Sequence, residues 1–210
     1  MLTINSSPMT FASSVAMRLM PAKIARSRLG RAVYLAHGYL PTELAEELID
    51  ALSSAVWLES SLSLKHITAA GATRDLGVVS HKVITDAGVA AVVNAFRNTF
   101  ELELFNYHAL GTGSTAEAAA QTTLVTELTT QYSTDNTRPT GTQSAPAANQ
   151  YQTVATITVD ANVSITEHGL FSQAAAPGGT MWDRSVFSAL ALNAGDSIIA
   201  TYIATVTSGG

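Results

Sequence analysis

The last sixty residues constrain the fold most. From Tyr151 to Ser208 the chain reads as four short antiparallel strands almost without charge: YQTVATITVD, SITEHGLFSQ, MWDRSVFSALAL and SIIATYIATV. They are separated by a turn at Asp160 to Asn162, a Pro-Gly-Gly loop at Pro177 to Gly179, and an Asn-Ala-Gly-Asp turn at Asn193 to Asp196. Runs of this length, alternating and punctuated by turn residues, predict a sheet meander in a β-sandwich or barrel. The fold class that follows is mainly β: an antiparallel, jelly-roll-like sandwich with an N-terminal arm and one or two short helices.

Charge divides the chain. Residues 1–42 hold Arg18, Lys23, Arg26, Arg28 and Arg31 and no acid, whereas the remainder holds 6 bases against 16 acids. A basic arm on an acidic body is the expected arrangement. Only 13% of residues are charged, against about 25% in an ordinary soluble domain. Thr, Ser and Ala fill the difference, a pattern suited to surface buried against neighbours. Cysteine is absent, which excludes disulfides, thiolate metal sites and cysteine nucleophiles. No apolar run reaches the length of a membrane span. A secretory signal fits poorly because the basic residues follow the apolar segment at Met9 to Leu19 instead of preceding it. The arm's Arg and Ser content is a superficial match to a transit peptide.

Two regions are expected. Residues 1–60 comprise the arm, which Pro21 interrupts, and an amphipathic helix over 41–60. Pro41 suits its first turn and Glu43, Glu46 and Glu47 suit its N-terminal dipole. Leu44, Leu48, Leu52 and Val56, with Trp57 beside them, form one apolar stripe for a partner. Residues 61–210 form the sandwich body. Leu76 to Ile84 and Leu102 to Leu110 read as strands, and Thr85 or Asp86 caps a helix running to about Arg97. The polar stretch from Gly111 to Gln150 predicts loops, with short strands near Leu124 to Leu128 and near Thr140.

Candidate chemistry is sparse. The GTG at Gly111 to Gly113 lacks the spacing of a phosphate-binding loop and reads as a tight turn. The histidines (His37, His66, His81, His108 and His168) show no metal-ligand spacing, so each reads as a polar aromatic seated in a strand or loop. Ser172, Ser185 and Ser188 lack a nucleophile elbow, and Asp135, Asp183 and Asp196 are scattered. Glu167 and His168 point to opposite faces of a strand. Glu167 is instead expected to pair with Arg184 of the neighbouring strand, since a charge inside an apolar sheet needs a partner. No catalytic, cofactor or metal site is expected, and an enzyme is not. Five bases without interleaved aromatics make a weak nucleic-acid signal.

The second half of the chain resembles a group of tailed-phage virion proteins. The likeness rests on FNYHALGTG (Phe105 to Gly113), AEAAAQTTLVTEL (Ala116 to Leu128), TRPTGTQ (Thr137 to Gln143), the segment from Asn149 to Gln173, and MWDRSVFSALALNAGDSIIATYIATV (Met181 to Val206). It implies a structural component of the virion with a sandwich body, carrying no active-site residues. The favoured expectation is a capsid decoration, or cement, protein. It would bind the assembled lattice of the major capsid protein through the arm and the helix stripe, as a homo-oligomer such as a trimer, and without a membrane or nucleic-acid partner. The alternatives are a tail-associated or receptor-binding module, using the loop at Ser133 to Asn149 and an exposed Trp182, and a small enzyme or lectin-like binder.

Overall fold

The computed structural model describes residues 56–81 and 83–208. Eight strands, one α-helix and a short 3-10 turn follow one another within this span. They are β1 (Val56–Ile67), β2 (Thr73–Ser80), α1 (Asp86–Phe96), the turn Leu102–Leu104, β3 (Tyr107–Gly111), β4 (Thr142–Ser144), β5 (Gln150–Thr158), β6 (Val163–Phe171), β7 (Met181–Leu192) and β8 (Ser197–Ser208). They form a five-stranded sheet in the order β2-β1-β8-β5-β4 and a three-stranded sheet in the order β3-β6-β7. The protein is mainly β, an antiparallel sandwich, as expected. One compact unit spans Leu58–Thr205.

Alternation builds the core. Ala155 and Ile157 of β5 lie opposite Ala200 and Ile198 of β8. With Leu62 and Leu64 of β1 they face Leu110, Ile165, Leu190 and Leu192 of the smaller sheet. The four C-terminal strands are nevertheless not a meander. β5 pairs with β8 and β6 with β7, so the chain crosses between sheets after β5 and again after β7. The two crossing turns bond to each other: Val159 N–H donates to the Asp196 carbonyl and Gly195 N–H to the Val159 carbonyl. Gly195, at φ +88°, supplies a left-handed backbone that other residues avoid. The Asp196 carboxylate then accepts from Asn193 N–H, Ala69 N–H and His66 Nε2, each at 2.9 Å, tying the β1–β2 hairpin to this corner.

The helix expected after Thr85 is present. The Thr85 hydroxyl accepts the Gly88 N–H at 2.9 Å, and Asn98 ends α1 in the left-handed region at φ +54°. Other expectations need correction. Val56 and Trp57 belong to β1 rather than to a helix over 41–60, whose remaining residues lie outside the described span. Period-two burial of Leu58, Ser60, Leu62 and Leu64 overrides the period-four leucine pattern upstream. The strand expected over Leu76 to Ile84 starts earlier and stops at Ser80. That expected over Leu102 to Leu110 starts only at Tyr107. Phe105 is drawn into an aromatic cluster, 5.1 Å from both Phe100 and Trp182, which leaves Leu102 and Leu104 in a 3-10 turn. The strand near Thr140 is β4. At Leu124 to Leu128 a single bridge, Gly111 to Glu127, replaces a strand.

Candidate functional site

The outward face of the small sheet is covered by chain from the polar stretch after β3, where Leu124 packs on Ala109, Phe171 and Met181. A loop laid over a sheet has no ladder to satisfy its amides, and buried N–H and C=O groups require partners. One buried charge cluster supplies them, and a second ties the loop to the β6–β7 connection.

In the first, Arg184 Nε donates to Glu167 Oε2 at 2.8 Å, and both side chains are fully buried. Glu167 also accepts the N–H groups of Gly113, Val125 and Thr126 at 2.9, 3.1 and 2.8 Å. The Arg184 Nη1 turns to the Thr115 carbonyl (3.1 Å) and Gln121 Oε1 (3.0 Å). The expected pair therefore forms, and its partners are mostly main-chain atoms of the covering loop. The GTG segment takes its meaning here. Neither Gly111 nor Gly113 has a positive φ, so the tight-turn reading is replaced by one of close approach. A Cβ on Gly111 would stand 2.5 Å from Glu167 Oε1 and 2.6 Å from the Thr126 carbonyl. Gly111→Ala should cost about 1–3 kcal/mol by overpacking, read as a lowered urea midpoint with unchanged slope.

In the second, Arg138 forks onto Glu127, with Nε to Oε1 at 2.6 Å and Nη2 to Oε2 at 2.9 Å. Its Nη1 donates to the carbonyls of Gln173, Ala175 and Gly178 at 3.0, 3.2 and 2.9 Å. The guanidinium carbon lies 3.7 Å from the centre of the Phe171 ring. Planar geometry lets one arginine hold a carboxylate, three carbonyls and an aromatic face at once.

Two further polar groups lie between the sheets. His108 and His168, each read from sequence as a polar aromatic of a strand or loop, meet with Nδ1 to Nε2 at 3.0 Å, and His108 Nε2 lies 3.1 Å from Thr153 Oγ1. Burial lowers both histidines, His168 to about 3, so both are neutral. Beside them Asp183 accepts the hydroxyls of Ser60 (2.9 Å) and Ser185 (3.0 Å). Burial raises Asp183 to about 8, against the opposing pull of these hydrogen bonds. Trp182 Nε1 donates to the Tyr202 hydroxyl at 2.7 Å. These groups have the chemistry of an acid–base site, but His108, His168, Asp183 and Tyr202 are all sealed from solvent, and their hydrogen bonds to Thr153, Ser60 and Trp182 run between the two sheets.

The sequence-derived surface candidates distribute differently. Arg18, Lys23, Arg26, Arg28, Arg31, Leu44, Leu48 and Leu52 lie outside the described residues. Val56 is exposed and Trp57 half-buried on β1. Trp182, expected to be exposed, is 7% exposed because α1 packs over it at Gly88. Ser185 is occupied by Asp183, and Ser172 accepts the Thr180 N–H at 2.9 Å. Among the described residues no group of three or more His, Asp or Glu could hold a metal ion, and no helix is long and apolar enough to cross a membrane.

What remains accessible is surface. Residues 111–150 carry four charged side chains, Glu117, Glu127, Asp135 and Arg138. Two of these neutralise each other beneath the loop and Glu117 accepts the Val186 N–H at 2.8 Å, leaving an outer face mainly of Thr, Ser and Ala with Asp135 as its one exposed charge. On α1, Val89, Val93 and Phe96 are exposed to 53%, 56% and 89%, one stripe at helical spacing. Comparison with protein-family models, with curated proteins and with solved structures found no match for this chain.

Proposed function

We propose that the protein is a structural component of a tailed-phage virion, a decoration or cement protein that binds the assembled lattice of the major capsid protein. The observation that carries this reading is the weakly charged, hydroxyl- and methyl-rich outer layer fastened over the small sheet. Interface centres are depleted in charge, because a charged group pays heavily for desolvation whereas Thr, Ser and Ala pay little. A layer pinned from beneath also loses little conformational freedom on docking. The basic segment at Arg18 to Arg31 supplies the complementary element, a set of cations for an acidic shell surface. Binding to the assembled lattice alone would stabilise the shell by mass action. The resemblance of Phe105 to Val206 to virion proteins agrees with this reading.

The test is the number of copies in purified particles, measured by quantitative mass spectrometry. The expected result is a stoichiometry near that of the capsid subunit. A few to a few dozen copies would place the protein in the tail instead, and absence from particles would overturn the proposal.

A further inference from the structure

The apolar stripe of α1 has a specific occupant written into its flanks. Phe96 is the most exposed large apolar residue described, and Val89 and Val93 continue it along one face. Isolated exposed apolar residues are ordinary, but three in register on one helix face form a contact surface. At 100° per residue, Asp86 and Arg97 both lie to the same side of this stripe, about 50° and about 70° from its centre. Asp86 sits at the N-terminal end and Arg97 at the C-cap. Both are exposed, and neither has an ion-pair partner among the described residues.

We propose that α1 pairs with α1 of a second copy of this chain, antiparallel about a twofold axis. That operation keeps each flank on its own side while reversing the helix direction. It brings Asp86 of one copy to Arg97 of the other at both ends, and between them sets Val89 against Val93 of the other copy and Phe96 beside its Val89. A parallel arrangement forfeits this match, because like ends would meet. The interface is isologous, closing at two copies, and the opposed helix dipoles favour it. The surface is self-complementary in shape class, apolarity and charge, which is what selects a second copy over an unrelated partner. One helix face with the neighbouring Leu102 and Leu104 is small beside a standard interface, so association in the micromolar range is expected. The inference stands apart from the virion reading and needs no shell for its test.

The full chain is examined by sedimentation velocity over a concentration series. Dimers should appear at micromolar concentration. Phe96→Asp, at a solvent-exposed position and with an unchanged circular dichroism spectrum, should weaken them by about 30-fold or more, as loss of an aromatic anchor does. Asp86→Arg and Arg97→Asp should each weaken association, and the two together should restore it. The absence of cysteine permits a direct geometric probe. Val93→Cys, near the dyad, should form disulfide-linked dimers on mild oxidation, whereas Ser188→Cys on β7 should not. A chain that stays monomeric throughout the series overturns the proposal. So does association that Phe96→Asp leaves intact, a charge swap that fails to restore pairing, or cross-linking that is equal at the two cysteine positions.

Discussion

Glu167→Ala should destabilise the protein by about 3–5 kcal/mol, the usual consequence of stranding a buried charge. Arg184 is fully buried and its Nε has Glu167 as its carboxylate. At the size of this domain about 1 kcal/mol moves the melting temperature by 2–4 °C, so a loss of roughly 10 °C is expected. The reverse substitution is gentler. Arg184→Met leaves the carboxylate with three N–H donors, from Gly113, Val125 and Thr126, and such donors stabilise a carboxylate on their own. Hydrogen exchange adds a local readout, because in the alanine variant the amides of Gly113, Val125 and Thr126 should lose protection before those of β5 and β8. A melting temperature within a degree or two of the parent, with those amides still protected, would refute the fastening role.

Stability should pass through a maximum near neutral pH, with a different buried group governing each side. His108 and His168 titrate below their ordinary value of 6.5 when folded. Below that pH the unfolded chain takes up protons that the folded chain refuses, and stability falls on acidification by about 1.4 kcal/mol per pH unit for each histidine. Asp183 has the opposite sign. Its folded value near 8 lies above its ordinary 3.8, so the folded state keeps a proton the unfolded state releases, and stability falls as pH rises towards 8. Below 6.5, while both folded histidines stay neutral, they outweigh the one carboxyl, leaving a net loss of about 1.4 kcal/mol per unit on the acid side. Above 6.5 Asp183 acts alone, with a similar loss per unit on the alkaline side. Urea titrations across this range test the shape. Asp183→Asn should flatten the alkaline limb and roughly double the acid slope. A profile flat from about pH 5 to about pH 8, or an alkaline limb that survives Asp183→Asn, would show that these groups do not set the pH response.

The strands were legible where alternation is regular. The segments that became β5 to β8 declare two faces each, and a Thr followed by Asp marks the start of α1. Sheet membership was not legible, since alternation states which residues share a face but not which strand lies beside them. β5 and β6 look like a hairpin in sequence, yet their connection crosses the sandwich. β1 was misread because Leu44, Leu48, Leu52 and Val56 repeat every fourth residue straight into a strand whose inward set includes a serine, Ser60. Of the buried polar clusters, the Glu167–Arg184 pair could be anticipated because both ends lie on adjacent strands. Arg138 with Glu127 could not, since both sit in irregular chain. His108 and His168 could have been flagged, each standing two residues before a buried leucine, but bringing them together required the β3–β6 register.

The fastenings of the covering loop have an evolutionary consequence. Glu167 grips amide nitrogens there and Arg184 the Thr115 carbonyl, while Arg138 reaches from the loop to carbonyls of the β6–β7 connection, all atoms that every amino acid other than proline provides alike. Solvent-facing letters such as Thr122, Thr123 and Thr130 can therefore drift freely without loosening the clasp. The protein carries a rewritable exterior over a grip indifferent to what is written on it.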